Sequence, residues 1–322
     1  MTQTQEFPSV NKLAEPLVRS LKENTDSLGL SVSRLENGTA IVDAGINAPG
    51  GLEAGCRIAE ICMGGLGNVT LRSTTNLMDN WSWYVDVHSS NSVIACLASQ
   101  YAGWNLSNGD FNALGSGPGR AMGSKEPLFD ELKYRDRADT ACLVIESDVF
   151  PPVQVAENIA KQCGIDASKL TLIMTPTSSL SGCVQIVSRV LETALHKVHA
   201  LDFDVMKVSD GAGSAPICPP SPDFMIAMGR TNDAILFAGQ VHLFVNADDR
   251  DTEQLANQLP SSTSKDYGKP FSEIFQEVNY DFYKIDPMLF SPARVAVTSM
   301  MTGKTFHAGK LDKELLDKSF NN

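Results

Sequence analysis

No stretch of this 322-residue chain approaches the roughly 18 apolar residues that a membrane-spanning helix needs. The opening segment, MTQTQEFPSVNKLAEPL, lacks a basic run followed by an apolar one, so no secretory signal is expected. Positive charge is scarce. Lys and Arg number 26 against 38 Asp and Glu, which leaves a net charge of −12 at pH 7. A general nucleic-acid binder needs a basic surface to displace phosphate counterions, so that class is set aside. An anionic small ligand would need only a local cluster of Arg and Lys. Histidines number five, and His196 and His199 have neither an HExxH pattern nor a third ligand at diagnostic spacing. No metal site is therefore expected. No CxxC occurs. The seven cysteines, at positions 56, 62, 96, 142, 163, 183 and 218, read as reduced, mostly buried thiols of a cytoplasmic protein. No GxSxG elbow marks a serine nucleophile.

What the chain has is ordinary globular composition, 43% hydrophobic and 20% charged. Its length suggests two domains. A break near residue 150, where VFPPVQ precedes a new helix, gives 1–150 and 151–322. Apolar, β-branched stretches predict strands over 39–45, 83–89, 140–147, 169–176, 234–245 and 293–300. Helical periodicity predicts helices over 13–28, 52–64, 92–104, 152–164 and 180–199, with Pro16 in the first turn of its helix. Strands and helices alternate without a strict βαβ rhythm, so the expected fold is α/β or α+β. GAGSAPICPPSPDF, 211–224, reads as linker-like: a surface loop or part of a site.

The predicted helix SLSGCVQIVSRVLETALHKV carries the most informative residues. At about 100° per residue, Val184, Val187, Leu191, Ala194, Leu195 and Val198 form a core face. Gln185, Arg189, Glu192 and His196 form a narrow polar stripe on the other side. The stripe holds an amide, a fixed cation, an acid–base carboxylate and an imidazole. A solvated face with a local ion pair is the commoner reading of such a stripe. Yet Arg ahead of Glu is the weaker order for helix stabilisation, so helix stability is not an obvious reason for the pair. A second constellation is ALGSGPGRAM. Gly115, Gly117 and Gly119 permit tight turns that expose N–H groups, and Arg120 follows at once, so the loop either cradles an anion or is a plain Gly-Pro turn. It is neither a Walker loop nor a sound dinucleotide fingerprint. NAPGGLEAG, ICMGGLGNV and AMGRTNDA are weaker loops of the same kind.

Read in order from Glu36 to the C-terminus, the strings ENGTAIVDAG, EICMGGLGNV, SQYAGW, ALGSGPGRA, GRTNDAI, QLPSSTSKDYGKPF and DFYKIDPMLFSPA resemble the methenyltetrahydromethanopterin cyclohydrolase family. SQYAGW and SRVLETALHK are nearer to the form of methylotrophic bacteria than to that of methanogenic archaea. The resemblance implies a two-domain α/β fold with the active-site pocket between the domains, and a homotrimer. It implies hydrolysis of the methenyl bridge of a folate-like pterin coenzyme to the formyl form, with no redox cofactor and no catalytic metal. It places the family's catalytic carboxylate and partner arginine at Glu192 and Arg189. Glu192 would act as base and then acid, and Arg189 would keep it ionised and fix its rotamer.

Residue type then suggests the binding contacts. Arg120 and Arg230 suit the anionic tail of the coenzyme. Backbone around Gly64, Gly65, Gly115, Gly117 and Gly119, with the Gln185 amide, suits the remainder. Lys269 and Lys284 are further candidates or plain surface cations. Two other functions fit the same strings: another folate or pterin enzyme, such as a dehydrogenase, and a coenzyme-binding protein without catalysis. The missing dinucleotide fingerprint counts against the first, and retention of Arg189 and Glu192 against the second.

Overall fold

The computed structural model describes residues 7–74, 80–281 and 284–321. In chain order its strands are β1 (Ser31–Arg34), β2 (Ala40–Asp43), β3 (Asn68–Ser73), β4 (Trp83–Ser89), β5 (Trp104–Asn108), β6 (Phe111–Ser116), β7 (Ala141–Ile145), β8 (Leu170–Met174), β9 (Val208–Pro216), β10 (Gln240–Val245), β11 (Arg294–Ser299) and β12 (Thr305–Gly309). They form two mixed sheets, in the orders β1-β2-β8-β7-β6-β5 and β12-β11-β10-β9-β4-β3. The fold is therefore mixed α/β, as the alternation of elements implied. Each sheet takes strands from both sides of residue 150, so the two halves of the chain interleave.

The helices that matter here are α1 (Val10–Glu23), α2 (Leu52–Cys62), α3 (Val153–Cys163), α4 (Leu180–Val187), α5 (Val190–Ala200) and α6 (Phe224–Ala238). In the first sheet β2, β8 and β7 run parallel. Both faces of these strands are covered, which explains their nearly unbroken apolar sequences. Ile41, Leu143, Ile145, Leu172 and Met174 pack with α3. Val42, Cys142, Val144 and Ile173 pack with α1 and α2 on the other face. In the second sheet the central strands carry α5 and α6 on one face.

The strands expected over 39–45, 83–89, 140–147, 169–176 and 293–300 are present, with ends shifted by a residue or two at most in four of them and by none in β4. Outside 180–199, four expectations change. The stretch 234–245 is half helix: α6 runs to Ala238, Gly239 ends it, and β10 begins at Gln240. An apolar run cannot by itself distinguish a buried helix from a buried strand. Helix α1 begins earlier than Pro16 suggested, capped by Ser9, whose Oγ accepts from the Lys12 N–H. Pro16 lies inside it on an exposed face, where water can serve the freed carbonyl. The helix expected over 92–104 is a wide π-helix, Ile94–Gln100, followed by β5.

The fourth change concerns 211–224. Its first part is the inner strand β9 rather than a linker. A Cβ on Gly211 would lie 2.7 Å from Leu191 Cδ1, and one on Gly213 would lie 2.9 Å from Val190 Cγ1. These glycines are the space that lets the start of α5 rest directly on the sheet.

Candidate active site

The helix expected over 180–199 is two helices, α4 and α5, joined at Ser188 and Arg189. Ser188 Oγ donates to the Gln185 carbonyl at 2.6 Å, and the Arg189 N–H bonds three residues back, to Ile186. A serine competing for backbone acceptors loosens a helix at such a point. The break lies where the two sheets meet. Below it, α4 packs so closely on α2 that a Cβ on Gly55 would lie 2.6 Å from Val184 Cβ. Above it, Val190 and Leu191 sit on β9.

The polar stripe therefore faces the interior. Gln185 is fully buried, Arg189 is 7% exposed and Glu192 is 5% exposed. The apolar face is buried too, so these helices are enclosed on nearly all sides. His196, partly buried, stacks on Tyr101 with ring centroids 4.8 Å apart. Burial, and then the neighbouring His199, hold its pKa below the usual imidazole range.

Arg189 reaches back to the first sheet. Its guanidinium donates to the Gln100 carbonyl, to Ser116 Oγ at 2.9 Å and to Gln185 Oε1 at 3.3 Å. Ser116 ends β6, and Gln185 Nε2 donates to Thr175, just past β8, at 3.2 Å. With those bonds made, Arg189 Nε has no hydrogen-bond partner among the described residues. Glu192 differs. Among the described residues its carboxylate accepts no hydrogen bond and forms no ion pair within 4 Å. Arg189 and Arg120 act on it only through space. Burial outweighs both cations and raises the Glu192 pKa to about 7. A carboxyl with that pKa, free of fixed partners, can take or give a proton near neutrality.

Two groups that sequence reasoning passed over belong to this centre. The Gln100 side chain is fully buried beside Arg189, and neither its Nε2 nor its Oε1 has a partner among the described residues. Its one sequence signal is an amide closing the otherwise apolar run SVIACLAS. Glu146 follows β7 and accepts from Thr177 Oγ1 at 2.7 Å. Burial raises its pKa, with the Thr177 bond and the Arg189 charge opposing. Its signal was an acid at the carboxyl end of a parallel strand, where α/β sheets place ligands.

The other sequence candidates have different surroundings. Arg120 is fully buried. It forks onto Glu126 at 2.7 and 3.1 Å and donates to the carbonyls of Leu97 and Ser99 at 3.1 and 3.2 Å. The rings of Tyr101 and Phe129 lie 5.1 and 5.3 Å from its guanidinium carbon. Two arginines thus satisfy carbonyls at the end of the π-helix, Arg120 at Leu97 and Ser99 and Arg189 at Gln100. The glycine loop is likewise engaged with backbone: the Gly117 N–H donates to Ser99 O and the Gly119 N–H to Cys142 O, each at 2.8 Å. A Cβ on Gly119 would lie 3.0 Å from Cys142 O, and one on Gly115 would lie 2.9 Å from Leu106 Cδ1. These glycines serve close packing. Gly64 and Gly65 have positive φ, 66° and 70°, and lie against Val10 and Leu13 at α1. Arg230, on α6, donates to the carbonyls of Pro219 and Pro220 at 3.2 Å. Lys269 pairs with Glu277 at 2.5 Å and Lys284 with Asp281 at 3.3 Å, all on the surface. Arg189, Glu192 and Gln185 are thus brought together, with Arg120 within electrostatic reach.

The fold and this centre define an α/β protein with a buried carboxylate, unpartnered among the described residues, near a fixed guanidinium, an arrangement suited to proton transfer. The chain matches the family model described as Cyclohydrolase (MCH) over residues 9–320, and it belongs to that family. Methenyltetrahydromethanopterin cyclohydrolase of Methylobacillus flagellatus is 58% identical over 314 residues, covering 98% of this chain and 96% of that protein. The protein of the same name from Methylobacterium organophilum is 52% identical, covering 99% of this chain and 100% of that protein. That from the archaeon Methanothermobacter marburgensis is 42% identical, covering 97% and 99%. Among the described residues no helix is long and apolar enough to cross a membrane.

Proposed function

We infer that the chain hydrolyses the methenyl bridge of 5,10-methenyltetrahydromethanopterin to the 5-formyl form, reversibly; relatives named methenyltetrahydromethanopterin cyclohydrolase support the reading. The bridging carbon of such a substrate is an amidinium-like cation. Glu192 takes a proton as water attacks that carbon, and a neutral hydroxy adduct forms. Glu192 then returns the proton to the leaving nitrogen as the carbon–nitrogen bond breaks. The hydroxyl proton passes to solvent, so water and cation give formyl product and one released proton. The carboxylate charge also complements the cation in a site with little water. Arg189 holds the ends of β6 and the π-helix around the centre and lowers the pKa that burial would otherwise impose.

The observation that carries this reading is the Glu192 carboxylate, buried and without a hydrogen bond among the described residues, in a chain of this family. Substitution Glu192→Gln keeps the shape and removes the base. Its expected turnover is lower by about 10²- to 10⁴-fold, followed as loss of the methenyl chromophore. Wild-type kcat/KM should rise with pH through about 7, where the carboxylate ionises, and the variant should lack that limb. Near-native turnover in a folded variant overturns the assignment. The substrate pocket between the two parts of the fold, cytoplasmic location and a homotrimer belong to the same reading. Seven buried, unpaired thiols support a reducing compartment, and native mass spectrometry checks the trimer.

A further inference from the structure

A groove of about 270 Å³ runs along α1 at the opposite end of the first sheet from Glu192. Its wall includes Thr140 and Lys169, at the starts of β7 and β8. Glu146 and Thr175 stand past the far ends of the same strands, roughly 20 Å away at the rise of a strand. The groove is therefore a separate place from the active centre.

Its charge is opposite to that of the molecule. Arg19 and Lys22 from α1, Arg34 from β1 and Lys169 line it, against one carboxylate, Glu15. In the whole chain acids outnumber bases 38 to 26, so four cations to one acid inverts the general ratio. Among the described residues none of the four lies in an ion pair. Arg34 spends one donor on the Gly38 carbonyl at 2.8 Å. Like charges gathered from three elements repel one another, and a concave wall focuses their field on whatever enters.

The groove also has polarity along its length. Arg19 and Lys22 belong to the second half of α1, and Asn11 lies at its start. Asn11 is 2% exposed, and its Nδ2 donates to Pro118 O at 2.8 Å and Asp136 Oδ2 at 2.7 Å. Those two acceptors fix the amide's orientation and leave Oδ1 buried without a partner among the described residues. A buried acceptor left open is costly unless a donor fills it.

We propose that this groove binds a small phosphate ester, its phosphate among Arg19, Lys22, Arg34 and Lys169 and a hydroxyl of its organic part at Asn11. A guanidinium fork matches two phosphate oxygens, and lysines add point charge. A dianion answers several cations where a monocarboxylate answers one.

The test titrates ribose 5-phosphate and inorganic phosphate into the full chain by calorimetry at constant ionic strength. Ribose 5-phosphate is expected to bind saturably, one per chain, and more tightly than inorganic phosphate. The double variant Arg19→Ala/Lys169→Ala, both exposed positions, should weaken it about tenfold or more, the scale of a lost charged contact. Glu192→Gln should bind it unchanged, which separates this site from the active centre whatever the chemistry there. Absence of saturable binding overturns the proposal, as does equal affinity in the double variant. A raised KM for the methenyl coenzyme in that variant would make the groove part of the substrate's seat and overturn the claim of a separate site.

Discussion

A buried amide with no partner destabilises a fold unless a ligand completes it. Among the described residues both side-chain amide atoms of Gln100 are in that state, beside Arg189 Nε in the same state. Near them stands the Glu192 carboxylate, also without a partner among the described residues. Unfilled donors and acceptors of both kinds thus meet at one place, which is what a polar substrate edge requires. Gln100→Leu tests this. Leucine has similar bulk and no polar atoms, so the melting temperature should stay the same or rise. KM for the coenzyme should rise about tenfold, the scale of one lost hydrogen bond to substrate. An unchanged KM would show that the amide does not meet the substrate.

Glycines decide how elements approach. Gly211 and Gly213 alternate along β9 and face α5, and Gly239 lies 3.1 Å, measured from its would-be Cβ, from Val190 Cγ2. The start of α5 therefore nests on a patch without side chains, one or two residues before Glu192. Gly213→Val adds branched bulk where Val190 already sits. Overpacking of this kind costs about 1–3 kcal/mol, read as a lower midpoint in urea. It should also reduce kcat, because α5 must shift and carry Glu192 with it. A variant that loses stability while kcat holds would show that the carboxylate tolerates movement of its helix.

At the scale of the whole molecule, one buried acid contributes a definite part of the response to pH. Asp233 on α6 ties down two distant segments, accepting from the Phe271 N–H at 2.9 Å and from Ser319 Oγ at 2.6 Å. Burial raises its pKa to about 7, against the opposing pull of those two bonds. The folded chain thus keeps a proton that the unfolded chain releases near pH 4. Stability from this group is complete below that pH and is lost as pH rises toward 7, at up to about 1.4 kcal/mol per pH unit. Glu192 contributes with the same sign. Asp233→Asn should therefore remove the Asp233 contribution, so that the variant's stability relative to wild type rises between pH 5 and 7. An unchanged slope would mean that Asp233 is ionised in the fold.

Several features could be read from residue order alone. The parallel strands were legible because strands buried on both faces are apolar throughout. That Arg189 and Glu192 share one face, with the apolar core face opposite, followed from helical period. Other features could not be read, and each depends on partners distant in sequence. Whether the polar stripe met solvent or interior depended on β6, β9 and the π-helix closing over it. The glycine-rich 211–216 resembled a loop because the side chains that fill its empty places belong to α5. Arg120 resembled an anion binder because residue type does not reveal that Glu126 and two carbonyls already occupy it. Local pattern sets what an element is and which of its faces is apolar. Only tertiary packing determines which polar groups find partners and which, like Glu192 and Gln100, are buried without them.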